Sequence, residues 1–177
     1  MDINRIISFF KNSLFIVYLP RIMVGVFLVL QFVGMLYYPG GTIWSESTDE
    51  YVFTLNYFSD LGRYQAHNGE PNYLSMILFA LSLSLVSVTF ILHYISVLVF
   101  FKNDSKPFNA LLALIGTLFS FLGAICLVGT ALTPSDLVLD PHVFYANNIF
   151  HSFLVTSLLY TIVIYRSELI QNKYAIG

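Results

Sequence analysis

Charge is scarce in this chain. Of its 177 residues only 10% are Asp, Glu, Lys or Arg, against roughly 25% in an ordinary soluble domain. Hydrophobic residues make up 57%, more than a water-soluble fold of this size can cover in one core. The surplus has to face something apolar, and lipid is the simplest answer. Lys and Arg number only 8 and the formal net charge is −2. There is no basic stripe to neutralise phosphates, which excludes nucleic acid as a partner. A single cysteine, Cys126, sits inside an apolar run; it cannot form an internal disulfide and suits a small buried hydrophobe. Repeats, low-complexity stretches and linkers are absent, so residues 1–177 read as a single transmembrane domain.

What is present is a set of four long apolar runs, about Arg21–Tyr38, Asn72–Phe101, Phe108–Leu132 and Val143–Tyr165. Each can cross a hydrocarbon core of about 30 Å. They are too long for barrel strands, and in lipid only helices or closed barrels satisfy their own backbone. The expected fold is all-α: an integral membrane bundle of four transmembrane helices. The 17% share of aromatics agrees with this, since Tyr and Trp collect at membrane interfaces.

The charges sort by side. Arg5, Lys11, Lys102, Lys106, Arg166 and Lys173 flank one side of the spans. Glu46, Asp49, Glu50, Asp60, Glu70, Asp136 and Asp140 lie on the other, where Arg63 is the only strong base. The positive-inside rule then puts both termini and the Lys102–Lys106 loop in the cytoplasm. The basic, apolar N-terminus resembles a signal peptide, but Pro20-Arg21 interrupts it and no small-residue cleavage site follows. Residues 3–18 read instead as an interfacial amphipathic segment. Ile3, Ile6, Ile7, Phe10, Leu14 and Val17 recur at helical spacing while Arg5 and Lys11 snorkel. Pro20 suits the first turn of the next helix; the rival is one longer helix with Arg21 inside it.

Between the first two spans lies an outer loop, residues 39–71, opening on the turn signal Pro39-Gly40-Gly41. Its Tyr51–Phe58 stretch is too apolar for a solvated loop, so the loop is expected to be structured, folding back onto the bundle or dipping into the outer leaflet, with Trp44 and Tyr51 at the interface. The third span carries Ala113, Gly116, Ser120, Gly123 and Ala124 at helical spacing. Such a stripe allows close helix packing, inside the bundle or at a dimer face. Gly116, Ser120 and Gly123, with Arg63 and Asn148, are the candidates for lipid or partner contact. The serines of the second span are expected to bond their own helix.

Ionisable groups at a membrane edge are functional candidates. They form three sets: Ser59-Asp60-Leu61-Gly62 with Arg63; Thr133-Pro134-Ser135-Asp136; and Asp140-Pro141-His142 with Asn147, Asn148 and His151. Asp60, Asp136, His142 and His151 are the catalytic candidates. Each also has a structural reading as a turn, a cap or a helix-to-helix hydrogen bond. Asp60, Asp136 and His142 are ligand types that suit zinc, with His151 a further donor. However, His142 and His151 are too far apart for a His-Glu-x-x-His helix. No nucleophile elbow frames Ser59 or Ser152. Haem would need two histidines at one depth, whereas His93 lies about 8 residues from the inner end of its span and His151 about as far from the outer end of its own, which leaves them several ångströms apart in depth. No cofactor is predicted, with metal or haem kept only as an alternative.

The stretch Tyr57-Phe58-Ser59-Asp60-Leu61-Gly62, then Pro71-Asn72 and Leu78-Phe79, resembles a family of small bacterial and archaeal multi-pass membrane proteins of unknown function, related to the eukaryotic DRAM/FRAG-like proteins. Gly123, Val128-Gly129, Pro134, Asp136 and His142 look like that family's Gly-rich third span, Pro-x-Asp end and following His. The resemblance covers residues 51–151. It implies a bundle in which Asp60, Asp136 and His142 cluster, but no reaction. Relatives commonly carry five or six spans against four here, which favours a partner subunit or self-association. The expected function is a lipid-interacting module or an accessory subunit of a membrane assembly. The alternative is an enzyme acting on a lipid or lipid-linked substrate through the outer Asp/His cluster. A small transporter is disfavoured by the lack of mid-bilayer charge and of an inverted repeat.

Overall fold

The computed structural model describes residues 3–175, with side chains from residue 7 onward. The roles expected of the Ile3, Arg5 and Ile6 side chains therefore lie outside the described residues. The order is α1 (Ile3–Phe10), a π-helical turn (Leu14–Tyr18), α2 (Leu19–Leu36), a 3-10 turn (Phe58–Gly62), α3 (Tyr73–Phe101), α4 (Asn109–Leu132), α5 (Leu139–Arg166) and a 3-10 turn (Asn172–Ala175). Apart from two isolated β-bridges, no strand occurs among the described residues. Four helical segments are long and apolar enough to span a membrane: Leu14–Leu36, Tyr73–Phe101, Asn109–Leu132 and Leu139–Arg166. The chain is an all-α, four-helix integral membrane protein.

Small hydroxyl side chains are buried beside apolar ones, and many large apolar side chains are exposed, the pattern of a fold dissolved in lipid. Ser75, Ser82, Ser96, Thr117, Ser120 and Thr156 are buried, while Leu28, Phe32, Ile125 and Phe150 are exposed. Most of the buried hydroxyls bond their own helix. Ser82 Oγ donates to Phe79 O, Ser96 to Leu92 O, Thr117 to Ala113 O, Ser120 to Thr117 O and Thr156 to Ser152 O, at 2.7–2.9 Å. Ser82 thus behaves as expected of the second-span serines, whereas Ser75 Oγ donates to Leu61 O in the loop; α4 and α5 show the same self-bonding.

The N-terminal break falls at Asn12-Ser13, not at Pro20. Asn12 Oδ1 accepts the Leu14 N–H at 2.9 Å and starts a new helix there. The first span thus begins at Leu14 and contains Arg21, as the longer-helix rival requires, and the interfacial segment shortens to Ile3–Phe10. The π turn explains how Pro20 is tolerated. Leu19 N–H bonds Leu14 O, five residues back. In that pattern residue 20 would bond Phe15 O, but proline has no N–H to give. His93 Nδ1 on α3 donates to Phe15 O instead, at 3.2 Å. His93 is therefore a helix-pairing residue.

The chain divides into two compact units. The first holds the described residues within Met1–Ile22, Val88–Ile125 and Asn148–Gly177. Its core gathers Phe101, Ala113, Tyr160 and Val163. Tyr160 OH donates to Ala113 O at 3.1 Å and lies 2.7 Å from Thr117 Oγ1; Thr156 Oγ1 bonds Gly116 O at 3.1 Å, and Asn109 Nδ2 bonds Val163 O at 3.2 Å. A methyl group on Gly116 would stand 3.1 Å from the Tyr160 ring, and one on Gly123 would stand 2.8 Å from the Phe153 ring. Ser120 is wholly buried. The small-residue stripe therefore packs α4 against α5 inside the chain. Gly116 and Gly123 lie against the Tyr160 and Phe153 rings of α5, and Ser120 is buried, so the stripe follows the reading of packing inside the chain.

The second unit holds Met23–Ser87 and Cys126–Asn147. Gln31, a buried polar residue of α2, pairs its Nε2 with Ser82 Oγ. Gly34 lets α2 approach Ser75 of α3. Residues 37–72 form a dense hydrogen-bonded loop, as expected. Gly40 and Gly41 take φ values of 123° and 78°, open to glycine at little cost. Gly41 N–H is held by Thr48 O at 2.8 Å. Asn56 Nδ2 donates to Gly41 O at 2.9 Å and Asn68 Nδ2 to Pro39 O at 2.9 Å. Trp44 is 76% exposed, free to lie in an interface, whereas Tyr51 is half-buried with its ring edge-on to Tyr38 at 5.7 Å.

Candidate functional site

The Ser59-Asp60-Leu61-Gly62 motif is a 3-10 turn held from within and from α3. Asp60 Oδ2 accepts the Tyr57 N–H at 2.9 Å, reaching back to cap its own turn. It also accepts Asn56 Nδ2 at 3.1 Å. Asn72, at the head of α3, directs Nδ2 toward the Asp60, Leu61 and Arg63 carbonyls at 3.4, 3.1 and 3.0 Å. Ser75 Oγ adds a bond to Leu61 O at 3.1 Å. Gly62 is required by contact, since a Cβ there would lie 2.5 Å from the Phe79 ring. The turn reading of this motif therefore holds, but it is incomplete. Asp60 Oδ1 faces His67 Nε2 at 3.1 Å, and both side chains are largely buried.

His67 was not among the candidates from the sequence. It sits in an irregular loop with no periodic partner; the only available signal was a histidine seven residues after a motif aspartate. Its backbone N–H donates to Tyr38 OH at 3.2 Å. Its Nε2 is close to Asp60 yet off the hydrogen-bond axis. Burial, with the Asp60 carboxylate adding to it, pushes the phenols of Tyr38 and Tyr51 up to about 12. Both stay neutral around this carboxylate.

His142, in the first turn of α5, is 4% exposed. Its Nδ1 lies 2.6 Å from Thr133 O and must be the donor there. In the neutral imidazole that bond sets the tautomer and leaves Nε2 as a lone-pair acceptor. Nε2 is buried and has no hydrogen-bond partner. His142 is one of the residues lining a cavity of about 520 Å³, together with Asp60, His67, Arg63, Ser59, Ser135 and Asn147, with Leu139, Val143 and Ala146 as an apolar wall. Arg63 is anchored by Nε on Gln65 O at 3.0 Å. A second cavity, about 330 Å³, lies in the first unit beside His93 and Tyr160 and is walled by apolar side chains.

The expected cluster is thus half assembled. Asp60 and His142 line one cavity. Asp136 is not part of its lining: its two oxygens accept the Tyr64 and Gln65 N–H groups, each at 2.9 Å, and tie the α4–α5 turn to the loop. His151 is an exposed residue of α5 in the first unit, beside Phe90 and Phe153. Asn148 is half-buried on α5, and Asp140 is exposed at its first turn, where an anion complements the helix dipole. Among the described residues no three His, Cys, Asp or Glu side chains gather closely enough to hold a metal ion. The cavity offers one free acceptor, one carboxylate, one guanidinium and several hydroxyl and amide groups. Comparison with protein-family models, curated proteins and solved structures found no match to this chain.

Proposed function

We propose that this membrane protein is a lipid-interacting module whose second-unit cavity receives the head group of an amphiphile. The observation behind the reading is the mixed lining: Asp60, Arg63, His142 and Asn147 supply polar contacts, and Leu139, Val143 and Ala146 supply an apolar wall. Binding sites in this size range are mostly apolar with a few convergent polar groups. The charge bias of the flanking residues supports an orientation with both termini cytoplasmic, so the cavity opens toward the outer leaflet of a prokaryotic cell membrane. Kinship with the DRAM/FRAG-like proteins belongs to the same proposal and rests on the 51–151 motifs alone. So does membership of a larger assembly or a homo-oligomer, which the mass of the particle in mild detergent would reveal.

The test is native mass spectrometry of protein purified in mild detergent. Wild-type protein is expected to carry bound lipid, and Val143→Trp and Ala146→Trp, which fill the cavity, are expected to lose it. Unchanged lipid adducts in both variants would refute the reading.

One observation favours a second reading, a hydrolase acting on a lipid-linked substrate. His142 has the tautomer of a general base, with Nδ1 held by a carbonyl and Nε2 free. Against it, no serine hydroxyl is bonded to that Nε2, so no serine nucleophile is activated. Release of fatty acid or head group from reconstituted lipid, lost in His142→Gln, would establish it.

A further inference from the structure

We infer that the cavity selects zwitterionic phospholipid head groups that end in an N–H-bearing ammonium, and rejects the trimethylated equivalent. This rests on the head-group reading above and adds the chemistry of the ligand.

The argument starts from His142. A buried acceptor without a partner is rare, because it has left water and gained nothing in return. Here the geometry is fixed: the Thr133 carbonyl holds a proton on Nδ1, so in the neutral imidazole Nε2 can only accept. A ligand that satisfies it must bring a hydrogen. Asp60 adds charge and makes no second demand for a hydrogen. Its Oδ2 accepts two N–H groups and its Oδ1 lies 3.1 Å from His67 Nε2, so the carboxylate draws a cation toward the cavity without needing one of that cation's hydrogens. An acceptor and a carboxylate lining one cavity together suit a cation that carries N–H donors.

The remaining lining asks for the opposite charge. Arg63 is its only strong base, and Ser59 and Ser135 add hydroxyl donors. A guanidinium with neighbouring hydroxyls is a phosphate-binding set. The formal charges of Asp60 and Arg63 cancel, so a zwitterion leaves no net charge in the cavity. A phosphoethanolamine head group meets both halves. Phosphocholine meets only the phosphate half, because three methyl groups stand where the N–H donors must be. An anionic phosphoglycerol head group brings no cation to Asp60.

Delipidated protein in detergent, titrated by native mass spectrometry, provides the test. The probes are phosphatidylethanolamine, its N-methyl, N,N-dimethyl and trimethyl (choline) forms, and phosphatidylglycerol, all with identical acyl chains. Wild-type protein should bind the first three alike and the choline form about tenfold more weakly, the worth of one well-made hydrogen bond. The drop belongs at the last methyl, where the final N–H disappears. Phosphatidylglycerol should bind more weakly than phosphatidylethanolamine. His142→Gln, which keeps an acceptor oxygen, should keep the preference, and His142→Leu should abolish it while still binding lipid. A steady decline with each methyl would indicate crowding and overturn the inference, as would choline or glycerol forms bound as tightly as ethanolamine. Either result leaves the head-group reading standing. Absence of lipid binding by wild-type protein would overturn both. The methyl series needs no variant, so a His142 substitution that fails to fold does not remove the test.

Discussion

Asn72→Ala should loosen the loop that carries Asp60. Asn72 is 1% exposed, and its amide has two hydrogens for the three carbonyls within reach. The Leu61 carbonyl keeps Ser75 Oγ after the substitution, and the Asp60 carbonyl keeps the Arg63 N–H at 3.1 Å. The Arg63 carbonyl loses its 3.0 Å donor. One lost bond of about 1 kcal/mol and one orphaned acceptor at about 1–3 kcal/mol give a cost of roughly 2–4 kcal/mol. At 2–4 °C per kcal/mol for a chain of this size, the melting midpoint falls by roughly 5–15 °C. Cys126 is the sole cysteine and is buried, so its reaction with a thiol-reactive dye on heating reports unfolding without any engineered probe. Asn72→Asp sharpens the test. It removes both donors and sets a carboxylate against carbonyls, and because Asn72 Oδ1 has no partner, the new oxygen gains nothing. Aspartate must therefore be worse than alanine. An Asn72→Ala midpoint within about 1 °C of wild type, or an aspartate variant as stable as the alanine one, would refute the clasp.

Gly62→Ala should cost about 1–3 kcal/mol by driving a methyl into the Phe79 ring, and Phe79→Leu should recover part of that loss in a double-mutant cycle by dye reactivity. Stability should be level up to pH 10 and fall from there toward about 12, because the folded state holds the Tyr38 and Tyr51 protons that the unfolded chain has released; in Tyr38→Phe with Tyr51→Phe, alkaline melts should show a shallower decline. His93→Ala should destabilise by about 1–3 kcal/mol through the orphaned Phe15 carbonyl. In a Pro20→Ala background, whose residue 20 regains an N–H, the same change should cost measurably less; equal costs in the two backgrounds would undo the π-turn account.

The membrane spans were legible because their signal is collective. No single residue has to be right for a long apolar run to be a helix. The loop's order was legible too, through the apolar Tyr51–Phe58 stretch that water would not tolerate. The site was legible only in part, and the reason is that an aspartate beside a membrane has two kinds of suitor. Asp60 and Asp136 look alike in sequence, yet Asp136 binds two backbone N–H groups from a segment about seventy residues away, which no local pattern encodes. His67 was hidden for the same reason in reverse: its partner is fixed by the folding of the 37–72 loop, not by spacing on a helix. The N-terminal break was misplaced because proline is the louder signal. Asn12 breaks the helix by offering its side chain to Leu14, and Pro20 is absorbed by a wider turn.

The self-bonded hydroxyls bear on how the molecule is made. Ser82, Ser96, Thr117, Ser120 and Thr156 satisfy themselves on carbonyls of their own helices. A span leaving the insertion machinery thus carries few polar groups in need of a neighbour, and each helix can wait in the bilayer alone. Assembly then becomes a search for register, decided by a short set of interlocking teeth: Gln31 on Ser82, Thr156 on the Gly116 carbonyl, Tyr160 on the Ala113 carbonyl and Asn109 on the Val163 carbonyl. Errors in biogenesis should concentrate at those four pairings, where a helix arriving one turn out of place finds no match.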